Sequence, residues 1–232
     1  MIKTEDLQSL QSGHRARLRK KFLDGQLTEY EILELLLTYA IPRRDVRVLS
    51  RQLYKKYGSI PAVLMAPTES LIEIEGIKEN TVTFFRLIRK LMELEYKEAL
   101  DETPIFSSHE KLINYCRILV AEKTVEEFHV FYLDGKYRLI QDELHSSGTV
   151  DWAAVYIREI VKKALNFNAH HIVLLHNHPT VGTSFSTADI EITEELENAL
   201  QKVGIRLYDH LLVSGSIVYS ARNMYLLGKN LK

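Results

Sequence analysis

Apolar positions in the first 100 residues recur at the spacing expected of helices. Thr28 and Glu31 form a capping-box pattern, which begins a run of apolar residues that ends before Pro42. Asp45 is placed to cap a second helix, and a longer helical pattern ends near residue 100. The pattern therefore predicts a small all-α domain over residues 1–100.

Beyond residue 105 the apolar pattern alternates between strands and helices. The predicted elements are a helix over 108–120, strands over 128–133 and 137–144, a helix over 152–166, a strand over 172–175, a helix over 187–203, and strands over 206–213 and 217–219. Strands interleaved with helices predict an α/β or α+β domain, in which helices pack on a sheet. We place this domain at residues 105–232 and the boundary in the charged stretch 97–107.

Two histidines follow the apolar strand at 172–175. Side chains two residues apart in a strand point to the same face, so His176 and His178 can serve one metal ion. Asp189, at the start of the next helix, can supply a third ligand. Two imidazoles and a carboxylate are typical of a catalytic zinc site, whereas structural zinc usually takes four ligands, often thiolates. The chain has a single cysteine.

Each of these residues also has an ordinary structural interpretation. Ser186 before an acidic helical turn fits a helix N-cap, and Asp189 fits an acid that complements the helix dipole. A His-x-His pair alone is weak support for a metal site. The complete spacing from His176 through His178 and Ser186 to Asp189 is much more specific.

That spacing resembles the motif of JAMM (MPN-type) metallopeptidases. Several short segments narrow the resemblance to the RadC family: Ser147-Gly148-Thr149, Arg158-Glu159, Asn168-Ala169, His176-Asn177-His178-Pro179 and Leu207-Tyr208-Asp209-His210. The resemblance covers nearly the whole chain. One departure is the loop at 180–183, Thr-Val-Gly-Thr, where family members usually have a Ser-Gly-Asp-Pro-like sequence. This departure concerns loop shape and substrate fit rather than metal binding.

The resemblance implies an α+β fold of the JAMM, cytidine-deaminase-like type, with one zinc ion per chain. It also implies hydrolysis of a peptide or isopeptide bond in a protein or peptide substrate. A general base is needed, and the acid two residues before Phe128, Glu126, is the one that the resemblance favours. Glu127 on the opposite strand face is the reserve candidate and Glu143 the third. Ser186 can donate to the developing oxyanion, and we expect His210 to make a hydrogen bond in the core near the site.

A nucleic-acid interface is the second hypothesis, and it concerns the N-terminal domain. Arg47, Arg51 and Lys55 form a positive stripe along one helix face, with no acidic residue interleaved. The segment around Gly76 and Lys78 resembles a helix-hairpin-helix element, whose turn offers N–H groups to a DNA phosphate. A solvated helix face and a purely structural hairpin are the alternatives. The acidic residues of the hairpin oppose DNA binding: Glu73, Glu75 and Glu79.

Composition limits the classes of function. The net charge is −1, so there is no overall attraction to nucleic acid or to a membrane. The sequence has no signal-like N-terminus and no apolar run of ~20 residues, and a lone cysteine suits a reducing compartment. We therefore expect a cytoplasmic protein without a membrane partner, and the sequence leaves its oligomeric state open. The alternative to a hydrolase is a non-catalytic, DNA-repair-associated module with a structural or vestigial metal site.

Overall fold

A computed structural model describes residues 4–105, 109–148, 156–180, 184–215 and 217–224, with side chains from residue 13 onward. The chain divides into two compact units, Met1–Leu91 and Met92–Lys232. None of the helices within the described ranges is long and apolar enough to cross a membrane.

The first unit is built from helices. Their bounds are α1 Thr4–Leu23, α2 Glu29–Ala40, α3 Arg47–Tyr57, α4 Ile60–Met65, α5 Thr68–Ile72 and the start of α6 Glu79–Glu102. The predicted capping box of Thr28 and Glu31 is confirmed, since each side chain accepts a hydrogen bond from the other residue's backbone N–H. Asp45 is not the N-cap residue of α3, which is Val46, but its carboxylate accepts a hydrogen bond from the backbone N–H of Arg47, the first residue of that helix.

The second unit contains a five-stranded mixed sheet. Its strands are β1 Glu127–Leu133, β2 Leu139–Ser147, β3 His171–His178, β4 Arg206–Ser214 and β5 Ile217–Ser220. Their order across the sheet is β2-β1-β3-β4-β5. β3 and β4 are parallel, and the other neighbouring pairs are antiparallel. With the helical region that precedes it, this sheet confirms the predicted α+β fold.

Helices cover both faces of the sheet. They are α7 His109–Val120, α8 Ile157–Asn166 and α9 Thr187–Gln201. Alternate strand residues separate two cores because successive side chains point to opposite faces. On one face, Phe128 and Leu174 pack with α8 and α9. On the other, Phe131 and Leu175 pack with α7. The first of these faces carries the candidate site.

The predicted elements differ from the observed ones mainly at their ends. β3 extends to His178, so both histidines belong to the strand. β2 begins at Leu139 rather than at Tyr137, because Tyr137 adopts a left-handed conformation (φ 63°) within the hairpin turn. Some predictions lie outside the described residues: the helix starts at Ser108 and Trp152, the motif residue Thr149, and most of the loop at 180–183.

Candidate metal centre

The end of β3 and the first turn of α9 bring three ligand atoms together. The Nε2 atoms of His176 and His178 are 3.2 Å apart. Asp189 places Oδ1 3.1 Å from Nε2 of His176 and Oδ2 3.5 Å from Nε2 of His178. The two histidines therefore share one strand face, as predicted, and the three residues form a group that can hold a metal ion.

A capping box fixes the position of Asp189. Ser186 is the N-cap of α9, and its hydroxyl accepts a hydrogen bond from the Asp189 N–H. In return, Asp189 Oδ2 accepts bonds from the Ser186 N–H at 2.6 Å and from its hydroxyl at 2.7 Å. The capping role of Asp189 is therefore compatible with a role as metal ligand, because the cap orients the carboxylate towards the histidines.

The surroundings of Asp189 Oδ1 and the spacing of the ligand atoms show whether a metal ion fits this site. Asp189 is fully buried, and its Oδ1 has no partner apart from the His176 ring, whose Nε2 lies 3.1 Å away. A buried carboxylate oxygen is costly to leave without a partner. Zinc ligands at about 2.0–2.1 Å in a tetrahedral arrangement lie about 3.3 Å from one another. The two separations that involve His176 Nε2, 3.2 Å to His178 Nε2 and 3.1 Å to Asp189 Oδ1, are close to that value, so these residues fit the ion.

The protonation states of the group also suit a cation. Burial raises the pKa of Asp189, but the His176 ring and the Ser186 donors lower it by more, to about 2. Burial and the neighbouring His176 lower the pKa of His178, although the charges of Asp189 and Glu126 oppose this shift. Near neutral pH the site therefore presents an anionic carboxylate and a neutral His178 imidazole, the forms that bind metal.

Glu126 lies beside the ligand group, immediately before β1. Phe128 pairs with His176 in the β1–β3 ladder, and its ring stacks near the His176 ring with centroids 6.3 Å apart. Continued by two residues, this antiparallel register places Glu126 level with His178 and on the face of Phe128. Consistent with this position, the Glu126 charge acts on the pKa of His178.

Asn177, between the two histidines, holds the backbone on both sides of Glu126. Its Nδ2 donates to the Val125 carbonyl at 3.1 Å, and its Oδ1 accepts from the Glu127 N–H at 2.9 Å. The side chain is buried and points away from the metal-facing side of β3. This role could not be predicted from the sequence, because both partners of Asn177 lie far away along the chain.

Glu127 and Glu143, the other two candidates, are engaged elsewhere. Glu127 is buried on the opposite face of β1, 2.8 Å from Lys123 Nζ and 2.9 Å from His129 Nε2. Glu143 accepts from the Tyr132 hydroxyl at 2.9 Å and pairs with Lys163 at 2.8 Å. The structure thus brings Glu126 and Ser186 to the ligand group, whereas Glu127 is tied to groups on the other face.

The residues predicted to contact DNA lie in the first unit, and most of them are exposed: Arg47, Arg51, Lys55 and Lys78. Arg47 forms an ion pair, because its Nη2 lies 2.5 Å from Asp45 Oδ2. No acid is interleaved within the stripe itself, but Asp45, which precedes α3, pairs with its first cation. Gly76 adopts a left-handed conformation (φ 101°) in the predicted turn.

Known proteins resemble this chain over most of its length. Residues 106–226 match the family described as RadC-like JAB domain. A UPF0758 protein of Ruegeria pomeroyi is 39% identical over 212 residues, covering 90% of this chain and 95% of the relative. A UPF0758 protein of Fusobacterium nucleatum subsp. nucleatum is 38% identical over 218 residues, covering 90% of this chain and 94% of the relative.

Proposed function

The chain belongs to the family of RadC-like JAB domain proteins, and on this basis we propose that it is a zinc-dependent hydrolase of a peptide or isopeptide bond. One observation carries the proposal: the buried Oδ1 of Asp189, which has no partner apart from the His176 ring, converges with two imidazole nitrogens beside Glu126. Three protein ligands leave a fourth zinc position for water or substrate, which is the arrangement of catalytic rather than structural zinc sites.

The protein groups then have separate roles. His176, His178 and Asp189 would hold the zinc ion, which when bound would act as a Lewis acid and bring the pKa of water to ~7. Glu126 accepts a proton from the attacking water and delivers it to the leaving nitrogen, so that the amine departs neutral. Phe128 and Phe185 flank the His176 ring, and such apolar neighbours strengthen electrostatic interactions by excluding water.

Ser186 is the proposed oxyanion donor. Its hydroxyl donates to Asp189 Oδ2, so it must turn away from the carboxylate to reach a substrate oxygen. The Ser186 backbone N–H also donates to Oδ2 and continues to hold Asp189 after such a rotation. The residue is exposed, which leaves room for the hydroxyl to turn.

A proteome-derived peptide library tests the activity across many candidate substrates at once. We expect the zinc-loaded protein to generate new peptide termini, or to release one partner from isopeptide-linked peptide pairs, and a chelator to prevent this. Mass spectrometry of labelled termini measures both reactions. A library that is unchanged by the zinc-loaded protein, in both its linear and its branched forms, would contradict the proposed hydrolase.

A second candidate function is DNA binding by the N-terminal helices, independent of catalysis. The observation that favours it is the position of Arg44, whose Nη1 lies only 2.9 Å from where a Cβ on Gly76 would be. An exposed guanidinium therefore covers the hairpin turn next to the exposed Lys78. We propose that these cations, together with the stripe on α3, contact DNA phosphates.

Salt dependence measures those contacts. Replacing Arg47, Arg51 and Lys55 together with serine should flatten the log–log dependence of DNA affinity on salt by roughly 2–3 units, since each phosphate contact contributes about 0.9. Fluorescence anisotropy with duplex DNA at several salt concentrations gives the slope. Lys136→Ser with Lys202→Ser, two lysines of the other unit, serves as the control. A slope untouched by the triple change would exclude the stripe as the DNA contact.

A further inference from the structure

The ring of His176 has two nitrogens with different surroundings. Nε2 faces His178 and Asp189, while Nδ1 lies 2.8 Å from Nε2 of His210. A neutral imidazole carries its proton on one nitrogen, and only the other nitrogen can bind a metal. Metal binding through Nε2 therefore requires the proton of His176 on Nδ1, and hence an acceptor at His210 Nε2.

His210 is fully buried on β4, and its own proton must be on the other side of its ring. Its Nδ1 lies 2.6 Å from the hydroxyl oxygen of Thr193. That hydroxyl donates to the backbone carbonyl of Asp189, one helical turn earlier in α9. A hydroxyl has a single proton to donate, so towards His210 it acts as the acceptor. His210 is then protonated on Nδ1, and its Nε2 is free to accept from His176.

We propose that Thr193 and His210 are positioning residues that set the tautomer of His176 for metal binding. Three hydrogen bonds run in one direction, from His176 to His210, from His210 to Thr193, and from Thr193 to the carbonyl of Asp189. The relay begins at one ligand and ends on the backbone of another, so it also fixes α9 relative to β3. This inference rests on the proposed metal site and adds two residues that do not touch the ion.

The relay depends on the hydroxyl group of Thr193, and substitutions at this position can remove or keep that group. A valine has the same shape but neither donates nor accepts, whereas a serine keeps the hydroxyl. Without an acceptor at position 193, the buried Nδ1–H of His210 has no partner, which favours movement of the proton to Nε2. His210 then offers His176 a donor instead of an acceptor, and the proton of His176 shifts to the nitrogen that must bind the metal.

The experiment has a spectroscopic readout and an affinity readout. Long-range ¹H–¹⁵N correlation spectra of histidine rings identify which nitrogen is protonated, and we expect His210 to be protonated on Nδ1 in both metal-free and zinc-loaded protein. Competition with a chromophoric chelator gives the zinc affinity. Thr193→Val should weaken zinc binding ~10–100-fold, the usual cost of losing an outer partner of a metal-bound histidine. Thr193→Ser should restore most of that affinity.

Thr38→Val is the matched control, because Thr38 is a buried helical threonine whose hydroxyl donates to the Leu35 carbonyl at 2.7 Å, in the other unit. It should leave zinc affinity unchanged. If wild-type protein binds no zinc, the proposed metal site fails. If zinc binds but His210 is protonated on Nε2, or if Thr193→Val binds zinc as tightly as Thr193→Ser, this inference alone fails. The wild-type spectra decide the tautomer even if a variant does not fold.

Discussion

Replacing His178 with alanine should abolish stoichiometric zinc binding while the chain remains folded. His178 is the last residue of β3, and it belongs to neither of the two apolar cores that hold helices on the sheet. Its loss leaves two of the three ligands. Zinc affinity should therefore fall by more than the ~10–100-fold that is usual when a residue bonded to a metal ligand is replaced. Metal analysis after dialysis against dilute zinc measures the occupancy, and circular dichroism measures the fold.

The control for this variant is His170→Ala, which removes an exposed histidine just before the opposite end of the same strand. It should keep one zinc per chain. Full occupancy in His178→Ala would overturn the ligand assignment. If His178→Ala does not fold, Asp189→Asn tests the same site with a side chain of similar shape, since an amide replaces the anionic ligand.

The ligand group could be predicted because it depends on local periodicity. A strand of period two places His176 and His178 on one face, and the Ser186–Asp189 capping box places the carboxylate in the first turn of a helix. Both rules relate residues that are only two or three positions apart, so they can be applied to the sequence without knowledge of the fold. The resemblance to a family added the role of Glu126, which periodicity alone left open among several acids.

The partners of the site could not be predicted because they come from distant segments. Asn177 reaches Val125 and Glu127 only through the pairing of β1 with β3. Thr193 meets His210 because α9 packs against β4. The sequence offered one signal for each member of this second pair: Thr193 lies one helical turn after Asp189, and His210 was expected to bond in the core near the site, which is confirmed.

The exact start of a helix is harder to predict than its apolar face, because polar side chains near the helix end have several partners within reach. Asp45 fits the residue type of an N-cap, but Val46 holds that position. The Asp45 carboxylate accepts from the backbone N–H of Arg47 and also binds its guanidinium. The ion pair with Asp45 compensates the Arg47 charge in the predicted DNA-binding stripe. Residue preference alone does not reveal that one short side chain bonds both to a backbone N–H and to a guanidinium.

The change from Glu126 to glutamine should separate an active hydrolase from a vestigial metal site. Glutamine has nearly the same size, and Glu126 is not among the three ligands, so zinc content should stay at one per chain. Turnover should fall by ~10²-fold or more, the scale of a positioned general acid–base group. The rate of zinc-dependent cleavage of a peptide identified in the library measures this effect, with zinc content determined on the same sample.

Glu127→Gln is the matched control, since it makes the same chemical change one residue later on the opposite strand face. Its carboxylate pairs with Lys123 and His129 in a buried setting, so the variant should lose some stability but keep its turnover per folded molecule. Activity must therefore be compared at equal folded concentration. If Glu127→Gln is inactive and Glu126→Gln is active, the face assignment is wrong. If both retain wild-type turnover, a chelator-sensitive reaction must use another base, and Glu143 would first have to leave Tyr132 and Lys163.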